Sequence, residues 1–386
     1  MVPLGIEDLR EHAARPDGAI TYVRFSSESV SLPAPPRFAF GVVTSDTNAR
    51  FYSETHIWET GLYTARGLEV FGDYLLARGD VLLRCKELFL HDGQLATVLR
   101  SHAVITVPPR ILEEPGQCVM LVGPGYEIYG HWLVDFLPKL HLLRMGGHDL
   151  ASLKFLIPSS TPEFGTRWLE FLGIRPAQLI RYEPFFDRVR VEQLLIPTVV
   201  RTNSRVSPVF AAAVGGLKEL MPHAGGDRPA YPSRIFISRA KANRHARWLN
   251  NRERIETMAQ ESGFTIVHPE HMTLLEQMQL FAGAREIIGE YGSALHGSIF
   301  APAGTVVCAL RGTKSPVAGF LQSAIGDALQ QPTGYVFGET QDDPLESFTV
   351  DEADFQLCLR LLESAEFSAT FRRPIACARS LRATAP

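Results

Sequence analysis

The sequence predicts an α/β fold of two doubly wound, parallel-sheet domains behind a β-rich N-terminal segment. Three observations predict it. The chain has 386 residues, more than one ordinary core holds. From about residue 115, short apolar runs alternate with stretches of helical periodicity, the rhythm of parallel-sheet units. A segment rich in Gly and Pro, HAGGDRPAYPS (223–233), interrupts that rhythm and reads as a domain boundary.

The elements follow in order. Residues 1–35 are Pro-rich, polar and irregular. GLEVFGDYLLARGDVLLRC and KELFLHDGQLATVLR read as short strands separated by Gly and Asp turns. CVMLVG is a buried strand. GHWLVDFLPKLHLLRMGG is a helix with apolar positions Trp132, Leu133, Phe136, Leu137 and Leu140. KFLIP, TPEFGTRWLEFLGI and RVEQLLIP continue as strand, helix and strand. After the boundary come RIFISR (strand), NNRERIETMAQESG (helix, Asn250 capping with Glu253) and FTIVHPE (strand). TLLEQMQLFAGA is a helix with a Thr273/Glu276 capping box. REIIG and TVVCAL are strands around a loop and helix, and FQLCLRLLESAEF ends the pattern as a helix. The expected domains are a β-rich segment (1–110), a first α/β domain (111–222), a second (223–345) and a helical tail (346–386).

Composition narrows the function. Apolar residues make up 45% and charged residues 21%, with a net charge of -4. No basic balance favours nucleic acid. Five scattered cysteines suit a reducing compartment better than a disulfide framework. The first residues carry acids and lack a long apolar core, unlike a signal peptide. With no apolar run of spanning length, the expectation is a cytoplasmic protein that could dock on the inner face of a membrane.

Three stretches carry chemistry. GEYGSALHGSIFAPAGT follows a strand and opens a helix. In open α/β sheets ligands bind outside the carboxyl ends of strands, and a helix start there attracts phosphate. Gly292 and Ser293 would form the turn, Glu290 would accept from sugar hydroxyls, and His296 would face the ligand one turn later. An ordinary βα turn shares this pattern, which is neither a dinucleotide fingerprint nor a hydrolase elbow. In SRIFISRAKANRHARWLNN, Arg234 and Arg239 flank a strand and lead into a loop with Lys241, Arg244 and Arg247. Guanidinium forks there suit a diphosphate, although a solvated charged loop reads the same way. In YGHWLVDFLPKL, His131 and Asp135 lie four apart on one helix face, and either could take a proton from a hydroxyl. No DxD and no third ligand at suitable spacing suggest a metal.

Taken in order, GHWLVDFLPKL, SRIFISRAKANRHARWLNN and GEYGSALHGSIFAPAGT resemble glycosyltransferase family 61, the capsular polysaccharide biosynthesis group, over roughly residues 115–315. The resemblance implies the GT-B plan of two Rossmann-like domains with a cleft between them. It implies inverting, metal-independent transfer from a nucleotide diphosphate sugar to a surface glycan or its lipid-linked precursor, with no cofactor. The donor would be UDP- or GDP-linked. Its binding residues would be Arg234, Arg239, Arg244, Glu290, Tyr291, Gly292, Ser293 and His296. The acceptor side would be His131 and Asp135, with Asp135 favoured as base and His131 as its positioner. The chain departs from the family pattern at Tyr291, where His is frequent, at His296, where Asn is common, and at Cys308, where an acid often follows the turn. A non-catalytic nucleotide-sugar or polysaccharide-binding protein on the same scaffold is the alternative. A nicotinamide-dependent oxidoreductase lacks its Gly-rich fingerprint.

Overall fold

A computed structural model describes residues 5–31, 34–93, 95–96, 109–222, 231–241, 247–314 and 320–364. The chain divides into two compact units. The first comprises residues 1–30, 56–202 and 206–225; the second comprises 31–55, 203–205 and 226–386.

The first unit is built on one ten-stranded sheet. Its parallel part has Arg110–Met120 at the centre, flanked by Asp187–Pro197 and Lys154–Pro158, with Leu179–Tyr182 outside the latter. Lys154–Pro158 is apolar and buried over most of its length, as a strand covered on both faces must be. The strands from the chain's start extend this same sheet. Thr60–Ala65 and Leu68–Phe71 both pair antiparallel with Asp187–Pro197, and Leu75–Arg78, Val81–Arg84 and Gly5–Asp8 follow outward. Most of the described strands of residues 1–110 thus join this sheet. Apolar side chains of these strands pack in one core with Met120, Leu156 and Leu194, and Phe71, Leu75, Ala77, Leu82 and Leu95 form a second, smaller cluster. Each such side chain stabilises by roughly 1.5–3 kcal/mol when removed from water. Residues 31–55 depart as well: Phe38–Gly41 pairs parallel with Thr333–Thr340 in the second unit's sheet.

KELFL is not a strand. Lys86–Leu88 makes one 3-10 turn, and only a bridge from Cys85 to Leu90 remains of the expected pairing. Some of the residues after it lie outside the described set.

The second unit has a seven-stranded sheet in the order Thr265–Val267, Arg234–Ile237, Glu286–Glu290, Val306–Gly312, Thr333–Thr340 and Phe348–Thr349, with Phe38–Gly41 joining at Thr333–Thr340. The first five are parallel. Numbered along the chain they run second, first, third, fourth, fifth. The order reverses between the Arg234 and Glu286 strands, so their carboxyl ends flank the crevice where such sheets bind ligands. Arg252–Glu261, Leu274–Gly283 and Leu321–Leu329 are connecting α-helices. The Thr273/Glu276 capping box forms as expected. The Asn250 cap does not: Asn251 holds the cap position without a side-chain bond to the helix, and its amide is spent on the Val350 carbonyl. The tail helix Glu352–Glu363 buries Phe355, Leu359 and Leu362 in this unit's core, so its described part is integral to the domain.

Candidate functional site

In the first unit the chain after Gly125 is helical but not uniformly so. Tyr129–His131 is α-helical, Trp132–Phe136 is a π-helical turn, and Lys139–Met145 resumes the α form. Pro138 supplies the cause, since it offers no N–H and its ring crowds the carbonyl one turn back. The amide of Leu137 reaches back to the Trp132 carbonyl at 2.9 Å, a five-residue step. Single π-turns of this kind recur at functional sites.

This turn carries Asp135 inward. Its side chain is 1% exposed, against 29% for His131. His131 Nδ1 lies 2.7 Å from Asp135 Oδ2. Arg201 closes the group: its Nε donates to Oδ1 at 2.5 Å and its Nη2 to Oδ2 at 2.8 Å. Arg201 Nη2 also lies 3.3 Å from His131 Nδ1, and the guanidinium sits 5.0 Å from the Phe89 ring centre. Burial pushes the Asp135 carboxyl up, but Arg201 and His131 outweigh it and hold it down at about 2. A carboxylate that stays ionised at 2.7 Å requires a hydrogen on Nδ1, so in the neutral imidazole the lone pair is on Nε2. Asp135, with three donors on two oxygens and no access to solvent, is a poor proton acceptor. His131 is the accessible member. Gly125 (φ +86°) lies against the imidazole: a Cβ there would meet the ring at 2.9 Å. The Gly-rich approach to His131 is thereby a steric requirement. Behind the group, Lys139 is buried and donates to the Leu121 carbonyl at 2.9 Å; burial pulls it down to about 8 against the pull of Asp135.

In the second unit the carboxyl ends of the Arg234 and Glu286 strands bring Arg239, Glu290, Tyr291 and Gly292 together. Glu290 is buried and doubly gripped by Arg252, Nε to Oε1 at 2.7 Å and Nη2 to Oε2 at 2.9 Å. Its Oε1 also accepts the Arg239 amide at 3.0 Å. Glu290 is therefore engaged within the protein and stands as a scaffold for two arginines, in place of the sugar-hydroxyl contact the sequence suggested. The Trp248 ring centre lies 3.9 Å from the Arg252 guanidinium carbon. Arg239 comes close enough that a Cβ on Gly292 would meet its Nε at 3.7 Å. Gly297 is required by packing, because a Cβ there would meet the Phe281 ring at 2.2 Å.

The other expected residues divide. Ser293 opens a 3-10 helix, Ser293–Phe300, whose poorer alignment weakens the phosphate-binding dipole expected of an α-helix start. His296 is buried, bonded through Nδ1 to Gln322 Oε1 at 3.1 Å, with its ring edge-on to Tyr291 at 6.0 Å. Arg234 is not brought to the group. It stands at the amino end of its strand, where it donates to Glu286 at 2.8 Å and stacks on Phe264. Arg244 lies outside the described residues. Sequence reasoning missed Arg201 and Arg252. Arg201 had one visible signal, an arginine closing an otherwise apolar run in LLIPTVVR. Among the described residues, no group of three or more His, Cys, Asp or Glu could hold a metal ion. No helix among them is long and apolar enough to cross a membrane.

Comparison with known proteins adds one family match. Residues 129–308 match the family model Glycosyltransferase 61. The stretch takes in both His131 with Asp135 and the Glu290–Thr305 turn, so the resemblance carried by the motifs holds there, and the match points to glycosyltransferase activity. No curated protein matches the sequence. Two solved structures with some likeness are a metal-soaked Flv1 flavodiiron core from Synechocystis sp. PCC6803 and TibC, an iron-containing dodecameric glycosyltransferase from enterotoxigenic E. coli H10407. The first is 14% identical, covers 45% of this chain and 44% of its own, and has a TM-score of 0.21. The second is 11% identical, covers 80% of each chain, and has a TM-score of 0.28. At those scores neither carries an argument about this chain.

Proposed function

We propose that this chain is an inverting, metal-independent glycosyltransferase of the GT-B plan, moving a sugar from a nucleotide diphosphate to a hydroxyl of a glycan or its lipid-linked precursor. The observation that carries the reading is the half-exposed His131 with Nδ1 fixed on a buried, arginine-held Asp135. In this reading His131 is the base and Asp135 its positioner, the reverse of the assignment favoured from sequence. His131 Nε2 takes the acceptor hydroxyl proton, and the acceptor oxygen bonds to the anomeric carbon from the face opposite the phosphate. The bond from that carbon to the diphosphate oxygen breaks, and the leaving group departs with the electron pair. Arginine side chains would offset the growing negative charge, a role a divalent cation fills elsewhere.

The first test is a thermal-shift screen against UDP-, GDP-, CMP- and dTDP-sugars, without metal and then with Mn²⁺. A ligand that binds the folded state alone raises Tm. The reading expects a shift with UDP- or GDP-sugars that is lost in Arg239→Ala, followed by release of the nucleotide on adding acceptor glycan. Binding without any turnover would instead favour the sugar-nucleotide-binding alternative, and a metal requirement for turnover would overturn the metal-independent form.

A further inference from the structure

His131, Asp135 and Lys139 are spaced by four residues, so the helical stretch that carries them sets all three along one stripe. The proposed chemistry uses the first two. Lys139 is a buried titratable group, 1% exposed, that it leaves without a role. Its Nζ donates to the Leu121 carbonyl at 2.9 Å, just past the carboxyl end of the Arg110–Met120 strand. The same Nζ lies 5.4 Å from the Phe136 ring centre. The His131 imidazole stacks towards that ring, with centres 6.5 Å apart and planes at 28°. One aromatic ring therefore neighbours both the imidazole and the ammonium. A charge so placed costs stability that an apolar side chain of similar length would recover. Such retained, buried charges cluster where chemistry needs them. The groups that act on Lys139 are Asp135, from its own helical stretch, and Cys85, from the bridge to Leu90. Cys85 is a neutral thiol: burial pushes it well up, as does Glu87, to which its Sγ donates at 3.3 Å. Glu87 in turn lies 3.7 Å from Arg10. The carboxylate that Lys139 serves is thus Asp135, on which Arg201 is the nearer cation. His131 itself is faced by Asp135 and Arg201.

We propose that Lys139 is a positioning residue for the transfer, acting through Asp135: its buried ammonium opposes positive charge on His131, so that the imidazole stands neutral before the reaction and gives up the proton afterwards. This rests on the reading that His131 is the base. The proton passes from the acceptor oxygen to His131 Nε2, and from there to water at the exposed side of the ring. With Lys139 charged, Asp135, Arg201 and Lys139 together carry one net positive charge, and a proton on His131 adds a second. With Lys139 neutral, that proton adds the first. Like charges at close quarters disfavour one another, so the charged lysine lowers the cost of losing the imidazole proton and raises the cost of keeping it. Burial pulls Lys139 down to about 8, so this influence is present below pH 8 and fades as pH rises through it.

The test has two arms, both on the full chain. In the first, histidine-labelled wild type and Lys139→Met are titrated by nuclear magnetic resonance, with the His131 signal assigned by its loss in His131→Ala. The wild-type His131 signal is expected to inflect near pH 8, as Lys139 loses its proton, and the Lys139→Met signal to lack that step. Asp135, held at about 2, does not titrate there, and a guanidinium keeps its proton throughout the range. In the second arm, release of nucleoside diphosphate is followed against pH with the sugar nucleotide that gives the largest thermal shift. Lys139→Met should fall below wild type by at least about 3-fold on the acid side of neutrality, at unchanged donor affinity. The gap should close as pH rises through 8. A merely structural lysine would lower the rate equally at every pH. Parallel profiles of that kind, or a wild-type His131 signal with no step near pH 8, would overturn the proposal. The wild-type titration needs no variant, so it decides even if Lys139→Met does not fold. A step at His131 that Lys139→Met abolishes, in a chain that turns over no sugar nucleotide, would support the coupling and sink the transferase reading.

Discussion

Asp135 and Glu290 are two versions of one device. Each is a carboxylate 1% exposed, gripped on both oxygens by an arginine that is itself largely buried, Arg201 for one and Arg252 for the other. They differ in the third donor. Asp135 takes it from the half-exposed His131 imidazole, and Glu290 from the backbone amide of Arg239. The first carboxylate therefore orients an imidazole, and the second a cation. The difference teaches that a buried ion pair is not itself the chemistry. What it orients at the surface defines the role.

The largest expected effect comes from breaking the first device. Asp135→Ala frees the imidazole and strands Arg201, so transfer should fall by about 10²–10⁴-fold and stability by about 3–5 kcal/mol, read by initial rates and urea unfolding. Glu290→Ala should cost a similar ~3–5 kcal/mol by stranding Arg252. Adding Arg252→Met should recover most of that stability but not donor binding, because Arg239 has still lost its anchor. If the double variant binds donor like the wild type, Glu290 is structural filler and the parallel between the two carboxylates breaks.

A smaller effect at Asp135 depends on pH. Asp135 is held at about 2, below its ordinary 3.8, so its contribution to stability is whole above 3.8 and is lost as pH falls towards 2. The stability gap between wild type and Asp135→Asn should narrow across that interval and stay constant at higher pH. The smallest concerns Lys139, behind Asp135. Its pKa is lowered from 10.5 to about 8, so the cost of burying its charge is fully present below 8 and is relieved as pH rises from 8 to 10.5. Wild type should gain stability relative to Lys139→Met over that range in paired denaturant titrations.

How far the sequence discloses this depends on separation along the chain. His131 and Asp135 lie four residues apart, so helical periodicity alone brings them together, and the π-turn from Pro138 does not break the pair. The alternation after residue 115 likewise makes the parallel strands legible, because each βα unit is local. Arg201 lies 66 residues from Asp135, and Arg252 lies 38 from Glu290; no period links them. Pairing of the early strands with Asp187–Pro197 spans more than a hundred residues and leaves only an alternating pattern that a separate sheet would share. Arg234 was misplaced for a different reason. Two arginines flank one strand, but a strand's ends lie on opposite edges of the sheet, and only the carboxyl end, with Arg239, faces the crevice.

The central claim is that His131, aimed by Asp135 and Arg201, takes the proton in sugar transfer. The most direct measurement is release of nucleoside diphosphate from the sugar nucleotide that gives the largest thermal shift, compared in wild type and His131→Ala, with donor affinity measured alongside. The account predicts unchanged donor affinity and a rate lowered by about 10²–10⁴-fold. A His131→Ala variant that binds the donor and releases the nucleotide at the wild-type rate would contradict it.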